Sequence, residues 1–377
     1  MRLHLYLKHF PADGQRLIGG TAKAVNGLAY GLAQAGAEVT ILCEGERTRT
    51  RRSKLGFLIQ SFENRATRNP FLLSKDLTAS YNDPTSTPDL VILNGSFHPS
   101  VASLSRVLRA RAVPYVIATH EVHHPKLFAK NPHLKWPFWY IYERQVLECS
   151  SAIQLLDQRH GKHLKKLKIS ATMIEIPNGF LPEDVKRPRR LPTTMDGTCR
   201  LLFFGRIDVV HKGLDVLLAS VRDISDSDKV HLVIQGPDWG DQQKLKGLIR
   251  QFSLFDKVVV RAPDYATPVG DVMSHYHIVC LPSRWEGFGL ASLEAMLASR
   301  VVLVAEDAGI APHVAASGCG VLVKPEVCSV VKGIRDLLRR REEWSEMGRR
   351  GRSYALEHLS WEQIGKRALN EYSKLLD

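Results

Sequence analysis

The sequence is poor in the features that mark secreted, metal-bound and membrane-spanning proteins. It has six cysteines, and they form neither a close-spaced metal pattern nor the framework of a disulfide-rich scaffold. We therefore expect reduced thiols in a cytosolic protein. No stretch of about 18 uninterrupted apolar residues occurs, so no membrane-spanning helix is predicted. The first residues carry charges within their apolar run, which argues against a signal peptide.

Motifs of other protein classes are also missing. No G-x-G-x-x-G sequence follows a first strand, which disfavours a dinucleotide-dependent oxidoreductase. The chain has no helix-turn-helix, zinc-finger or aromatic RNA-binding motif, so we expect no nucleic-acid partner. Residues 120–124 (HEVHH) formally match a zinc-protease pattern. That pattern needs one continuous helix, whereas a predicted strand and Pro125 flank it here, so we expect no metal.

The positive charge of the chain is concentrated in its first half. Residues 1–180 hold 24 Lys and Arg against 13 Asp and Glu, whereas residues 181–377 hold 28 against 26. The first half thus supplies 11 of the net +13. Its densest basic stretch, residues 47–54, precedes the apolar residues 55–59, and a second lies at 162–168. Such stretches suit an anionic membrane surface or a lipid-linked substrate, with a solvated basic face as the alternative.

Short apolar segments alternate with helical patterns along both halves of the chain. This alternation predicts an α/β fold of two doubly wound domains, residues 1–180 and 181–360, facing each other across a deep cleft. The proline-rich residues 182–198 indicate a linker, and residues 361–377 an amphipathic helix. Ligands bind such sheets at the carboxyl ends of the strands, so we expect the functional residues there.

Residues 283–296 (SRWEGFGLASLEAM) form the most informative stretch of the chain. They follow an apolar strand pattern and enter a helical one, which makes 287–289 a glycine-rich turn whose free N–H groups suit an anion. Glu286 and Glu294 flank the turn and can accept hydrogen bonds from sugar or ribose hydroxyls. The combination predicts a nucleotide-sugar site, and an ordinary glycine-rich loop with two solvated glutamates is the alternative.

Further candidates follow other predicted strands. Arg206 follows the predicted strand 200–204, and Lys212 precedes the next helix. The two cations therefore lie at one strand end and could clamp a diphosphate without a metal. Gly236 ends the following strand and is expected to shape the nucleotide pocket through its backbone. His120, also at a strand end, is a candidate for substrate contact. Surface cations and a structural histidine are the alternatives.

Together these motifs resemble the retaining glycosyltransferases of family 4, which have the GT-B fold. The resemblance spans most of the chain and is carried by Gly19-Gly20, His120 and the segments 176–180 (IPNGF), 203–218 (FFGRIDVVHKGLDVLL) and 283–296. The catalytic residues that it implies are His120, Glu286, Arg206 and Lys212. The donor-binding residues that it implies are Gly20, Arg206, Lys212, Gly236, Arg261, Glu286, Gly287, Phe288, Gly289, Leu290 and Glu294.

The resemblance also assigns roles within this set. By this resemblance, Arg206 and Lys212 would bind the diphosphate, and Gly20 would pack under it. Glu294 would bind the ribose, and Glu286 would contact the hydroxyls of the transferred sugar. His120 would lie beside the reacting carbon. Backbone N–H groups of the 287–289 turn would meet the diphosphate or the sugar. A C-terminal helix that crosses back to the first domain is also implied.

Three departures from the family pattern affect the donor site. Residues 209–211 (VVH) replace a shorter turn before the lysine. Arg261 stands where a glycine is common and is expected to line the base pocket. Residues 309–313 (GIAPH) replace a Gly-Gly-x-x-Glu turn, so the donor is not fixed by relatives.

The expected function is metal-independent, retaining transfer of a sugar from a nucleoside diphosphate sugar to a hydroxyl. UDP-sugar is the favoured donor, and a GDP-sugar (mannosyl) transferase is the second reading. No cofactor is expected. The acceptor is expected to be lipid-linked or a polysaccharide, with the protein in the cytoplasm and peripheral at the inner face of the membrane. A phosphorylase or epimerase of the same fold and a non-enzymatic basic membrane-binding protein stay open, as does the oligomeric state.

Overall fold

A computed structural model describes residues 1–11, 19–64, 69–83, 87–120, 123–129 and 131–376. The chain divides into two compact units. Unit 1 comprises Met1–Gly179 together with the residues from Trp361 onward, and unit 2 comprises Phe180–Ser360. Each unit is built around its own largely parallel sheet, which confirms the predicted architecture of two doubly wound α/β domains.

Unit 1 contains an eight-stranded sheet in the order β3-β4-β2-β1-β5-β6-β7-β8. All neighbouring strands are parallel except β3 and β4, which pair antiparallel at the edge. The central strands are apolar runs buried on both faces, as is usual where helices cover a parallel sheet. The strands are β1 (Arg2–Tyr6), β2 (Glu38–Gly45), β3 (Arg49–Arg52), β4 (Leu58–Glu63), β5 (Leu90–Asn94), β6 (Tyr115–Ala118), β7 (Ala152–Leu155) and β8 (Met173–Glu175).

Within the described ranges of unit 1, seven α-helices accompany these strands. A π-helical turn, Trp139–Glu143, joins α5 to α6 without interruption, and a 3-10 turn, Gln158–His160, precedes α7. The helices are α1 (Gly20–Gln34), α2 (Lys75–Ser80), α3 (Pro99–Ala110), α4 (Pro125–Ala129), α5 (Pro132–Phe138), α6 (Arg144–Glu148) and α7 (Gly161–Lys166).

Unit 2 contains a six-stranded, entirely parallel sheet in the order β11-β10-β9-β12-β13-β14. Counted from its first strand this is the order 3-2-1-4-5-6 of dinucleotide-binding folds, in which the winding reverses between the first and fourth strands. The reversal leaves a crevice beyond the carboxyl ends of β9 and β12. The strands are β9 (Cys199–Phe204), β10 (Val230–Gln235), β11 (Val258–Arg261), β12 (Ile278–Leu281), β13 (Val301–Ala305) and β14 (Gly320–Val323).

The helices of unit 2 follow its strands in alternation. Three 3-10 turns, Pro182–Asp184, Asp226–Asp228 and Arg341–Glu343, accompany them. The helices are α8 (Leu214–Asp223), α9 (Gln242–Gln251), α10 (Val269–Met273), α11 (Leu290–Leu297), α12 (Ala311–Ser317), α13 (Val327–Arg339) and α14 (Trp344–His358).

The segment 182–198, predicted as a linker, is irregular but packed against unit 2. The guanidinium of the fully buried Arg300 donates to the carbonyl of Arg189, and His277 Nε2 donates to the Pro192 carbonyl at 2.8 Å. Arg300 also bonds to carbonyls on either side of β12, including that of Tyr276. A buried guanidinium needs such acceptors, so this segment completes the packing of unit 2.

The last helix, α15 (Trp361–Ser373), returns to unit 1 and packs on α1. Glycines make the close approach possible, because a Cβ at Gly31 would overlap the carbonyl oxygen of Trp361 and one at Gly365 would overlap the backbone of Gly31. Tyr30 Oη donates to Glu362 at 2.6 Å. The prediction that the C-terminal helix crosses back to the first domain is therefore confirmed. Within the described ranges, no helix is long and apolar enough to cross a membrane.

Candidate functional site

The candidate site of unit 2 lies where the strand order reverses. The loop 205–213 follows β9, and the loop 282–289 follows β12, its neighbour in the sheet. Carboxyl ends of adjacent parallel strands meet at one edge, so these two segments, here called the switch-point loops, lie side by side. They carry most of the residues predicted to bind a nucleotide sugar.

An ion pair joins Lys212 and Glu286 across the switch-point loops. Lys212 Nζ lies 2.6 Å from Glu286 Oε2, and Ser283 Oγ donates to the same oxygen at 3.1 Å. The side chains are only 10% and 19% exposed. Burial alone would raise the pKa of Glu286, but the charge of Lys212 and the hydrogen bonds from Lys212 and Ser283 hold this pKa below its usual value. Glu286 is therefore an anion held beside a cation.

His211, within the predicted departure from the family pattern, ties the loops together. Its ring stacks on Trp285 with centroids 4.4 Å apart and planes at 6°, and its Nε2 donates to the Trp285 carbonyl at 2.9 Å. The His211 carbonyl accepts from Arg284 N at 2.9 Å. Burial, and then Lys212, lower the pKa of His211 to about 4, so the imidazole is neutral at physiological pH.

A second ion pair, which the sequence analysis did not single out, braces the same loops. Arg284 forms a two-pronged contact with Asp215 in the first turn of α8, with both N···O distances at 2.7 Å. Its Nη1 also donates to the Val210 carbonyl at 2.7 Å. Because a forked Arg–carboxylate pair fixes orientation as well as distance, it holds the loop 282–289 against the loop 205–213 and the start of α8.

Gly213 lets the two loops approach closely. Its φ is 66°, in the left-handed region, and a Cβ there would overlap the Pro282 carbonyl oxygen. We expect Gly213→Ala to lower the free energy of unfolding by about 2–4 kcal/mol, because backbone strain and displacement of Pro282 add together. Urea titration measures the loss.

Gly197 supplies the matched control for this substitution. Its φ is 74°, and no atom lies within 4 Å of the position that a Cβ would take, so Gly197→Ala has the strain without the overlap. We expect Gly197→Ala to cost about 1–2 kcal/mol. Equal losses in the two variants would contradict the tight packing of Gly213 on Pro282.

The glycine-rich turn 287–289 leads into α11. Gly289 has a left-handed φ of 97° immediately before the helix begins at Leu290, and Phe288 is buried beneath the turn. The Phe288 carbonyl accepts from Ile310 N at 2.8 Å, and Gly309 lies so close that a Cβ would overlap the Gly287 carbonyl. The departure at 309–313 thus still supports this turn.

Two polar groups of α11 extend the same site. Glu294 is half-buried, one helical turn beyond Leu290. Ser292, in the first turn, is fully buried, and its hydroxyl makes no hydrogen bond within the part of the chain that the structure describes. Of these two side chains, only that of Glu294 is partly exposed.

Arg206 adds a second cation at the end of β9. Its guanidinium lies over the Trp239 ring, 4.8 Å from the centroid, and forms no ion pair with any described residue. The loop after β10 holds it in place, since Ile207 N donates to the Pro237 carbonyl at 2.9 Å. Gly236 sits in this loop so close to Gly205 that a Cβ would overlap the Gly205 carbonyl.

Arg261 lies at the carboxyl end of β11 and is exposed. Its Nη1 donates to Tyr276 Oη at 3.3 Å, and Tyr276 precedes the amino end of β12. This hydrogen bond thus lies away from the switch-point loops. The role of Arg261 in lining a base pocket stays a prediction.

In unit 1, His120 follows β6 and bonds to a residue at the end of the neighbouring β5. Its Nε2 lies 2.7 Å from Asn94 Oδ1. Asn94 Nδ2 donates to the carbonyls of Tyr6 and Ile92 at 3.1 and 3.2 Å, which fixes the amide orientation. Asn94 Oδ1 must therefore accept, so Nε2 of His120 carries the proton and Nδ1 is left with a lone pair. Burial lowers the pKa of His120 to about 4.

The remaining predicted positions of unit 1 are only partly described. Gly20 is the first residue of α1, but residues 12–18 before it lie outside the described ranges. Within 120–124, Glu121 and Val122 also lie outside them. Among the described residues no group of three or more His, Cys, Asp or Glu is placed to hold a metal ion. The role of Gly20 stays a prediction.

Comparison with known proteins gives one family for each unit. The family described as "Glycosyl transferase 4-like domain" matches residues 19–179, and the family described as "Glycosyl transferases group 1" matches residues 194–354. The matched ranges leave out the first 18 residues, the segment 180–193, the end of α14 and α15.

The chain is similar to D-inositol 3-phosphate glycosyltransferase of Gordonia bronchialis, 29% identical over 38% of this chain and 32% of that protein. It is 23% identical to GDP-mannose:cellobiosyl-diphosphopolyprenol alpha-mannosyltransferase of Xanthomonas oryzae pv. oryzae, over 80% and 78% of the two chains. The matches to the first curated relatives span only about a third to a half of their length.

Solved structures share the fold. HepE of Anabaena, determined in complex with UDP and glucose, has a TM-score of 0.72 and 16% identity, with 99% of this chain and 100% of that chain covered. Glycosyltransferases of the GT-B fold thus match both units. The chain belongs to the GT4-like glycosyltransferases.

Proposed function

We propose that this protein transfers a sugar from a nucleoside diphosphate sugar to an acceptor hydroxyl, with retention of the anomeric configuration and without a metal. The observation that carries the proposal is the Lys212–Glu286 pair, held at the topological switch point beside the glycine-rich turn 287–289. The switch point of such a sheet is where nucleotides bind, and a helix start preceded by glycines suits phosphate.

The two cations, Lys212 and Arg206, are suited to stabilise the leaving diphosphate. As the bond between the anomeric carbon and the diphosphate oxygen breaks, negative charge grows on the diphosphate. Lys212 and Arg206, with the N–H groups at the start of α11, would stabilise that charge, and their positions are already fixed before the reaction. Such preorganisation lowers the barrier because no reorganisation is needed when the charge appears.

Glu286 is suited to hold the sugar rather than to attack it. Its Oε2 is occupied by Lys212 and Ser283, and its pKa is held low, both of which weaken it as a nucleophile. Its second oxygen can accept a hydrogen bond from a sugar hydroxyl. For retention we propose that the acceptor oxygen forms the new bond on the face that the diphosphate leaves. The departing phosphate oxygen then takes the acceptor's proton.

The donor is proposed to be a UDP-sugar. HepE, which shares the fold over the full chain, was solved with UDP and glucose. The alternative is a GDP-sugar, since the Xanthomonas relative is named for GDP-mannose. That relative is also named for a diphosphopolyprenol acceptor, which supports a lipid-linked acceptor here. Such an acceptor would place the protein at the cytoplasmic face of a membrane.

Nucleotide binding to the isolated protein tests the donor site. We expect one of UDP and GDP to raise the melting temperature in the presence of EDTA, while ADP and NAD do not. A ligand at a hundred times its Kd adds about 2.7 kcal/mol to stability, which is readily detected. We expect Arg206→Ala to reduce the shift.

Arg200→Ala is the control for nucleotide binding, because Arg200 lies on β9 and away from the switch-point loops. An unchanged shift in Arg206→Ala would remove Arg206 from the site. The absence of a shift with any nucleotide would favour the non-enzymatic membrane-binding alternative, which the basic first half supports.

A further inference from the structure

Two of the apolar residues that follow the basic stretch of unit 1 are buried and not available to a membrane. Strand β3 (Arg49–Arg52), within the basic stretch, is largely exposed, so its arginines can contribute to a basic surface. Phe57 and Ile59, which follow it, point into the core and are 1% and 5% exposed, whereas Leu55 and Leu58 are half-buried. The expectation that residues 55–59 touch a bilayer is therefore wrong for these two side chains.

A different part of unit 1 exposes large apolar side chains. Leu134, Tyr140 and Ile141 are 62%, 67% and 58% exposed, and all three lie on the helical stretch formed by α5, the π-helical turn and α6. We call these three residues the apolar face. Leu72 is also 48% exposed, and the ring of the preceding residue, Phe71, lies 4.8 Å from that of Tyr142 in the same helical stretch.

The apolar face rests on a rigid aromatic base. Trp139 and Phe128 are buried, and the Trp136 ring lies 4.6 Å from Phe128. Tyr140 in turn stacks on Trp136 with centroids 5.9 Å apart. The exposure of the apolar face is therefore not the result of loose packing beneath it. A single π-helical turn within an α-helix often marks a functional position.

The charge around the apolar face is positive. Residues 123–148, up to the end of α6, contain four Lys and Arg and two acidic residues, Glu143 and Glu148. Glu148 is half-buried and accepts from Ser170 Oγ at 2.9 Å. Glu143 is buried, where it accepts from Phe97 N at 2.9 Å. Arg144 and His133 are exposed next to the apolar face. Both carboxylates of this stretch thus accept hydrogen bonds from the protein itself, while the exposed Arg144 lies beside exposed aliphatic and aromatic groups.

We propose that the apolar face is the site through which this protein docks on an anionic bilayer. Leu134 and Ile141 enter the boundary between head groups and acyl chains, Tyr140 lies at the head-group level, and Arg144 meets lipid phosphate. Aliphatic, aromatic and basic groups on one rigid surface are the combination that interfacial binding requires. The exposed cations of β3 add long-range attraction only. The proposal does not depend on the donor chemistry.

Vesicle flotation without nucleotide tests the docking surface. The vesicles contain phosphatidylcholine and phosphatidylglycerol in equal amounts, and vesicles of phosphatidylcholine alone provide the comparison. We expect the parent protein to float with the anionic vesicles. The double variant L134S/I141S should bind about tenfold or more weakly, because it lacks the two aliphatic side chains that would be buried in the bilayer. We expect R144E to weaken binding to the anionic vesicles alone.

Phe255→Ser is the matched control, because Phe255 is 64% exposed but belongs to unit 2. It should float like the parent. Binding of L134S/I141S equal to that of the control, or no flotation of the parent, would overturn the proposal. So would flotation that is lost only in R51E/R52E, which would assign the membrane contact to β3.

A second copy of the chain is the alternative partner for the apolar face. A parent that is dimeric by light scattering without vesicles, and a monomeric L134S/I141S that still floats, would overturn membrane docking in favour of a second copy. Nucleotide-induced thermal shifts in L134S/I141S should equal those of the parent, so loss of docking is distinguishable from failure of the donor site.

Discussion

Lys212→Ala is expected to lower kcat by about 10²–10³-fold while the two units stay folded. The ammonium of Lys212 is one of the two cations that we assign to the diphosphate, which gains further negative charge as the bond to the sugar breaks. KM for the donor should change less than kcat, because the interaction strengthens as the bond breaks. Steady-state transfer or donor hydrolysis measures both constants.

The same variant should also show a stability loss that depends on pH. In the parent, Lys212 keeps the pKa of Glu286 low, so the pair contributes stability above the ordinary carboxyl pKa and loses it as pH falls through the folded value. Without Lys212, burial raises the pKa of Glu286 instead. The difference in unfolding free energy between parent and variant should therefore be large at pH 7 and shrink towards pH 4.

Arg284→Met provides the control for this result. It breaks the neighbouring Arg284–Asp215 pair between the same two loops but removes no cation assigned to the diphosphate. We expect a loss of stability with a smaller loss of kcat. If Lys212→Ala retained near-parental turnover, or Arg284→Met matched its kinetic defect, Lys212 would only brace the loops and the proposed role would be lost.

The sequence predicts the architecture well because the signals for it are local. Apolar runs of strand length that alternate with helical periodicity indicate parallel sheets, and the glycine-rich turn before α11 is recognisable from its own residues. The short edge strand β3 was not predicted. Its residues are mostly arginines without an apolar alternation, and its position depends on pairing with β4.

The links between the switch-point loops could not be predicted in the same way. His211 and Trp285 are 74 positions apart, and Arg284 and Asp215 are 69 apart. They meet because β9 and β12 are neighbours in the sheet although β10 and β11 lie between them in sequence. Without the strand order, an arginine and an aspartate at such a distance are indistinguishable from surface charges.

Which apolar residues are exposed could not be predicted from the sequence either. Residues 55–59 follow the densest basic stretch, yet the pleat of β4 turns Ile59 into the core. Leu134 and Ile141 lie in an aromatic-rich stretch that could equally have been buried. Which side of it faces outward is set by the π-helical turn and by the contacts of Trp139, neither of which has a local signal.

Asn94 is expected to be the positioning residue for His120, and its replacement should change both rate and pH dependence. Asn94→Ala removes the acceptor that fixes the proton on Nε2 of His120. We expect kcat to fall by about 10–100-fold, the range found when metal-binding histidines lose the partner that orients them. The kinetic expectation depends on the role for His120 that the family resemblance implies.

Nitrogen-15 NMR of labelled histidine reports the tautomer and the pKa of His120 directly, and the variant His120→Gln assigns its signals. In the parent, His120 should be the Nε2–H tautomer and stay neutral down to about pH 4, since burial lowers its pKa. Its depressed pKa also means that stability falls as pH drops from the unfolded value of 6.5 towards the folded one. Asn94→Ala should show a mixture of tautomers.

Asn94→Asp separates orientation from mere packing. Its carboxylate still accepts from Nε2, and its charge should raise the pKa of His120. The acid limb of the pH–rate profile should therefore move to higher pH, while the tautomer is kept. A purely structural asparagine would lower stability in both variants and leave the tautomer and the acid limb unchanged. Such a result would remove Asn94 from the positioning of His120.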